Sequence, residues 1–174
     1  ILHWSVAALV LATIPAGVVM IQEGLPRATQ NALFIFHKNA GVLILLLMVG
    51  RAIYRWATPT PPLPAHMPGW QRRVAGATHA ALYAGVLFMA ATGYLRVRAG
   101  GFPIEALDAL GLPPLVPRSE MLEAAAKTAH FYGAWAVGAL VALHVAAALH
   151  HAILRRDGVF ARMWPPHRRP RGSG

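Results

Sequence analysis

The 174-residue chain is 56% hydrophobic and only 13% charged, with a mean hydropathy of +0.47, which is more apolar than a soluble domain of this length needs to be. It has no cysteine, which excludes disulfides, thiolate metal sites, iron–sulfur clusters and cofactors linked through a Cys-x-x-Cys-His motif. The formal charge of +10 comes from basic residues flanking apolar runs, not from a stripe with interleaved aromatics, so no nucleic-acid partner is expected.

Four apolar runs, at about 1–22, 33–56, 72–95 and 128–154, can each cross a hydrocarbon core with some tilt. They predict an all-α, four-helix transmembrane bundle in a lipid bilayer. The first run has neither a basic flank nor a cleavage pattern, so it reads as a retained helix whose leading residues are missing, not as a signal peptide. It carries His3 and, fourteen residues on, Gly17. The second carries His37, Lys38 and, fourteen after His37, Arg51. The connector Thr58-PTPPLPAHMP-Gly69 is too rich in proline to be helical throughout and is expected to run partly as polyproline II, with His66 solvated.

The third run holds His79. In the longer loop 96–127, Glu105 to Leu110 and Glu120 to Lys127 read as short amphipathic helices on the bundle rim. The fourth run holds His130 and His144, again fourteen apart, with His150 and His151 following. One membrane domain, 1–164, is thus expected before a disordered basic tail, 165–174, that includes a solvated His167.

Charge sets the expected orientation. The side with the proline-rich connector and the C-terminus has Arg51, Arg55, Arg72, Arg73, Arg155, Arg156, Arg162, Arg168, Arg169 and Arg171 against Asp157 alone. The other side mixes Arg27, Lys38, Arg96, Arg98, Arg118 and Lys127 with Glu23, Glu105, Asp108, Glu120 and Glu123. The positive-inside rule predicts that both termini are cytoplasmic and that loop 96–127 faces out.

Fourteen residues at about 100° each make nearly four turns, so His130 and His144 share a helix face roughly 21 Å apart along the axis. Topology gives each a partner at its own depth: His37 with His130 toward the outside, His3 with His144 toward the inside. Imidazole suits iron, zinc or copper, and ionisable groups inside apolar spans are functional candidates. A closed zinc site normally needs four ligands, whereas two imidazoles per level suffice for a bis-histidine haem. Two b-type haems stacked across the membrane are the economical reading. Gly17 would then let the outer macrocycle approach the backbone, and Arg51 could bind an inner haem propionate. Phe131 and Trp135 could pack on the outer haem or in the bundle core. Trp4, Trp56, Trp70 and Trp164 fall where an interfacial aromatic belt is expected.

Several local motifs extend along nearly the whole chain. They are Leu2-His3-Trp4, His37-Lys38-x-x-Gly41, the PPLP connector, His79-x-x-Leu82-Tyr83, Thr92-Gly93-Tyr94, Gly100-Gly101-x-Pro103, Leu143-His144, His150-His151 and Arg162-Met163. On these the sequence resembles the bacterial cytochrome b561 family of four-helix dihaem membrane cytochromes. The resemblance implies His3, His37, His130 and His144 as axial iron ligands and the bacterial inner membrane as location. It also implies a superoxide oxidase activity that takes electrons from superoxide at the periplasmic face and passes them to ubiquinone.

The residues fit that expectation physically. Lys38, Arg96, Arg98 and Lys127 could form a cationic funnel for a small anion, with Lys38 the first choice because it follows a ligand. Quinone reduction consumes protons, so His79 and His151 are candidates to bracket a quinone beside the inner haem. The competing expectation is a dihaem subunit that moves electrons between the quinone pool and a partner oxidoreductase.

Overall fold

The computed structural model describes residues 1–58 and 68–163. Most of the proline-rich connector with His66, and Trp164 with the basic tail and His167, lie outside the described residues. Four long helices, α1 (Leu2–Val19), α2 (Arg27–Ala57), α3 (Gly69–Ala99) and α5 (Glu120–Leu149), are joined by a short one, α4 (Glu105–Ala109). All four long helices are long and apolar enough to cross a membrane, and no strand occurs among the described residues.

Local chemistry sets the ends. Pro26 and Pro68, which cannot donate a backbone hydrogen bond, stand just before α2 and α3. Ser119 caps α5 through a side-chain oxygen that accepts from the Leu122 N–H at 3.3 Å, and Glu120 and Glu123 fill its first turn. The segment Glu120–Lys127 is therefore the first two turns of α5 and not a separate rim helix. Its acids lower the local hydropathy but suit a helix N-terminus. The expected short helix at Glu105 does form, as α4. Beyond Leu149, α5 continues into a π-helical turn, His150–Arg155, that stops at Arg156 in a left-handed conformation (φ 48°).

Packing is that of a membrane bundle. A small core draws Val6, Ile44, Met48, Val86 and Val137 from the four long helices. Leu46, Ile53, Trp135, Leu143 and other large apolar residues lie on the outside, where a bilayer would solvate them. Helices α3 and α5 meet most closely through small residues: a Cβ on Gly85 would stand 2.8 Å from Val137 Cγ2, and one on Gly133 would stand 2.8 Å from Met89 Sδ. At the opposite end from the connector, α4 lies against α2. There Ile104, 1% exposed, is the most deeply buried large side chain among the described residues.

Two histidine pairs as the candidate functional site

The bundle brings His37 of α2 and His130 of α5 together at the α4 end, with ring centroids 6.2 Å apart. It brings His3 of α1 and His144 of α5 together at the connector end, 6.3 Å apart. The ring planes within each pair are nearly perpendicular, at 80° and 85°. Two imidazole–metal bonds of about 2.0 Å, with about 1.1 Å from each nitrogen to its ring centre, require a separation near 6.2 Å. Both pairs therefore have a spacing at which their two imidazoles could hold one metal between them.

The outer shell of the α4-end pair is complete. His37 Nδ1 lies 3.0 Å from the Thr13 carbonyl, which can only accept, so Nδ1 carries the proton and Nε2 keeps a free lone pair. His130 Nδ1 lies 3.2 Å from Thr92 Oγ1. The Thr92 hydroxyl donates to the Phe88 carbonyl at 2.8 Å, so its lone pair accepts from His130. Both rings are thus fixed in the tautomer that would leave Nε2 for a metal.

Each ring also presses on a glycine. A Cβ on Gly17 would stand 2.9 Å from His37 Cε1, and one on Gly93 would stand 3.1 Å from His130 Cε1. Gly17, expected to give the macrocycle access to the backbone, makes room in this structure for the imidazole. Gly93 is its counterpart on α3. In sequence it appears only within the Thr92-Gly93-Tyr94 motif, although it stands fourteen residues after His79 just as Gly17 stands fourteen after His3.

The connector-end pair is less enclosed. His3 Nδ1 is buried without a hydrogen-bond partner among the described residues, an orphan of the kind that a group from outside the chain can explain. His79 of α3 joins as a third imidazole, 5.5 Å from the His144 ring. Arg51 stands beside this group, its guanidinium 5.2 Å over the Tyr83 ring. A groove of about 350 Å³ opens between α2 and α3, lined by Arg55, Trp56, His79 and Tyr83 over small Ala52, Gly76 and Ala80. His151 is not part of it. Its Nδ1 instead lies 2.7 Å from Asp157 Oδ2, and His150 is exposed. Burial of Asp157 opposes ionisation, but hydrogen bonds from His151 and the Val159 N–H together outweigh it and hold the carboxyl below its ordinary range. Trp4 Nε1 donates to the Met163 carbonyl at 3.1 Å, drawing the segment after Asp157 back toward α1.

Two of the four expected funnel cations are already engaged. Lys38 Nζ lies 2.6 Å from Glu105 Oε1 and 2.7 Å from the Pro103 carbonyl, and Arg98 Nη2 lies 2.6 Å from Asp108 Oδ1. Arg96 and Lys127 have no ion pair among the described residues, and Arg96 is near enough for its charge to bear on both His37 and His130. Phe131 and Trp135 are 55% and 72% exposed, so neither packs in the bundle core. Trp56 and Trp70 are also exposed, at helix ends suited to the interface.

A profile of the prokaryotic cytochrome b561 family matches residues 1–166. The chain belongs to the prokaryotic cytochrome b561 family. Among relatives, it is 30% identical to cytochrome b561 homolog 2 of Escherichia coli K12 over 162 residues, spanning 92% of this chain and 86% of that protein. It is 28% identical to cytochrome b561 homolog 1 of the same organism over 166 residues, spanning 94% and 93%. As a cytochrome b561 family member it is a multi-pass membrane electron-transfer protein, and the family implies haem b. The centroid spacings, the tautomers set by Thr13 and Thr92, and the orphan nitrogen of His3 all fit such a group.

Proposed function

We propose that this cytochrome b561 holds two haems b, on His37 with His130 and on His3 with His144, and works as a superoxide:ubiquinone oxidoreductase of the bacterial inner membrane. Two superoxide anions, one ubiquinone and two protons give two dioxygen molecules and one ubiquinol. The observation that carries the reading is the pair of histidine sites at opposite ends of one bundle, each spaced for axial ligation. Haem, when bound, supplies one-electron redox chemistry. The chain itself needs no nucleophile.

What the residues contribute is orientation, attraction and protons. Thr13 and Thr92 present Nε2 of His37 and His130. Arg96 and Lys127 draw anions to the α4 end, which the charge asymmetry makes periplasmic. In the groove at the cytoplasmic end, the His79 imidazole is the proton donor for a quinone headgroup, and Tyr83 and Trp56 supply apolar walls. Arg51, among His3, His79 and His144, is the cation for a haem propionate.

A second reading has its own supporting observation. Lys38 and Arg98 are neutralised by Glu105 and Asp108, which weakens the field that a superoxide funnel needs and suits a subunit that takes electrons from a partner protein. Stopped-flow mixing of the oxidised protein with superoxide, with and without quinone, separates the two. Superoxide-driven haem reduction that drains into added quinone supports the oxidase. A protein inert to superoxide but reducible by quinol overturns it in favour of the electron-transfer subunit.

A further inference from the structure

The residues directly after His37 do not point into the site. They reach across the outer end of the bundle to α4. Lys38 Nζ donates to Glu105 Oε1 at 2.6 Å, and Asn39 Nδ2 donates to Glu105 Oε2 at 2.9 Å, so one carboxylate takes both side chains with separate oxygens. Asn39 uses its whole amide: Nδ2 also donates to the Ile35 carbonyl at 2.7 Å, and Oδ1 accepts from the Ala106 N–H at 2.8 Å. The far side of α4 is tied down as well. Asp108 takes Arg98 of α3 on one oxygen and the Ile104 N–H on the other, at 3.1 Å, over the buried Ile104 side chain. A five-residue helix this short has no stability of its own, so its order comes from these ties. Its position therefore reports on, and constrains, the turn of α2 at residues 37–39.

We propose that Glu105 is a positioning residue for the His37–His130 pair: by gripping Lys38 and Asn39 it fixes the rotation of the α2 turn that presents His37. That rotation sets the 3.0 Å bond from His37 Nδ1 to the Thr13 carbonyl and the contact of the ring with Gly17. A strong Nδ1–H···O=C bond makes the imidazole a better donor to ferric iron. Loosening the turn weakens that bond and raises the midpoint potential of the haem at this end. The ammonium of Lys38 is structural in this arrangement rather than an anion trap.

The inference rests on haem binding by His37 and His130, and the wild-type protein tests that part first. A preparation whose optical and electron paramagnetic resonance spectra account for only the connector-end haem disproves that assignment before any variant is made. With both haems present, redox titration and low-spin signals are compared for Glu105→Gln and Glu105→Ala. Both substitutions remove the same charge, but glutamine keeps an oxygen for Lys38 or Asn39, so the difference between them isolates the grip. The expected result is a higher midpoint potential and a shifted low-spin signal at the α4-end haem in Glu105→Ala, near recovery in Glu105→Gln apart from a common electrostatic offset, and an unchanged connector-end haem. Coincident potentials and spectra in the two variants overturn the proposal. If Glu105→Ala does not assemble, Asn39→Ala, which changes no charge, decides: the same one-sided shift supports it, and an unshifted haem or loss of both haems overturns it.

Discussion

Thr92 provides the sharpest test of how the α4-end ligand is held. It is 7% exposed, its hydroxyl donates to the Phe88 carbonyl at 2.8 Å, and its remaining lone pair faces His130 Nδ1 at 3.2 Å. Valine fills almost the same space, so Thr92→Val should open no cavity and its cost is confined to the hydrogen bond. Losing the Thr92 acceptor, with the Met89 carbonyl as the other group that hydrogen-bonds His130, costs about 1 kcal/mol, which corresponds to roughly a fivefold faster loss or weaker binding of the group that His130 would hold. The Thr92–Phe88 bond adds little, because that carbonyl keeps its helical N–H partner. Transfer of haem to an excess of an apo-globin acceptor, followed at wavelengths that separate the two haems, measures the effect directly. Thr92→Val should release one haem at the accelerated rate and the other at the wild-type rate, and Thr92→Ser, which keeps the hydroxyl, should stay close to wild type. Loss rates for Thr92→Val within about twofold of wild type, or equal acceleration of both haems, would refute the tautomer argument.

The glycines make a graded series. Gly17→Ala places a methyl 2.9 Å from His37 Cε1 and Gly93→Ala places one 3.1 Å from His130 Cε1, whereas Gly41→Ala meets nothing within 4 Å. Overpacking of this kind costs about 1–3 kcal/mol, so haem occupancy at the α4 end should fall most for Gly17→Ala, less for Gly93→Ala and not at all for Gly41→Ala. The clip at α4 has a defined pH response. Burial opposes the charge on Glu105, but hydrogen bonds from Lys38, its own backbone N–H and Asn39, with the Lys38 charge, together outweigh it, and the Arg98 hydrogen bond lowers Asp108. A carboxyl lowered in the folded state contributes stability above its ordinary titration range and loses it only as pH falls through the lower folded value. Hydrogen-exchange protection over residues 100–119, corrected for the intrinsic rate at each pH, should therefore stay flat from pH 8 to about 5 and fall only in the acid range near or below 4; opening between pH 7 and 6 would contradict the assignment. Asp157→Asn, which weakens the bond to His151, should speed exchange in residues 156–163 while both haems remain bound.

What the sequence disclosed follows from which interactions are local. Hydropathy and the fourteen-residue interval are properties of single helices, and three connections between consecutive spans leave few ways to arrange four of them, so the fold and both histidine pairings were legible. The same interval on α3, from His79 to Gly93, also carried information. It went unused because α3 supplies no member of either pair, and nothing on one strip of sequence says that its glycine meets a ring from α5. Lys38 shows the opposite limit. Its partner is 67 residues away, and the sequence offers five acids on that side with no means of choosing among them. An interfacial lysine next to His37 and a lysine committed to Glu105 are identical in sequence; the difference lies in a 2.6 Å contact. The consequence is chemical as well as structural. A clip that neutralises Lys38 and Arg98 leaves Arg96 as the cation whose charge reaches both imidazoles, so Arg96→Gln should slow haem reduction by an anionic donor more than Lys38→Gln does. The slowing should shrink as ionic strength rises past 0.1 M, where the screening length is about 10 Å. Equal effects of the two substitutions at low salt would mean that the clip opens in solution and frees Lys38.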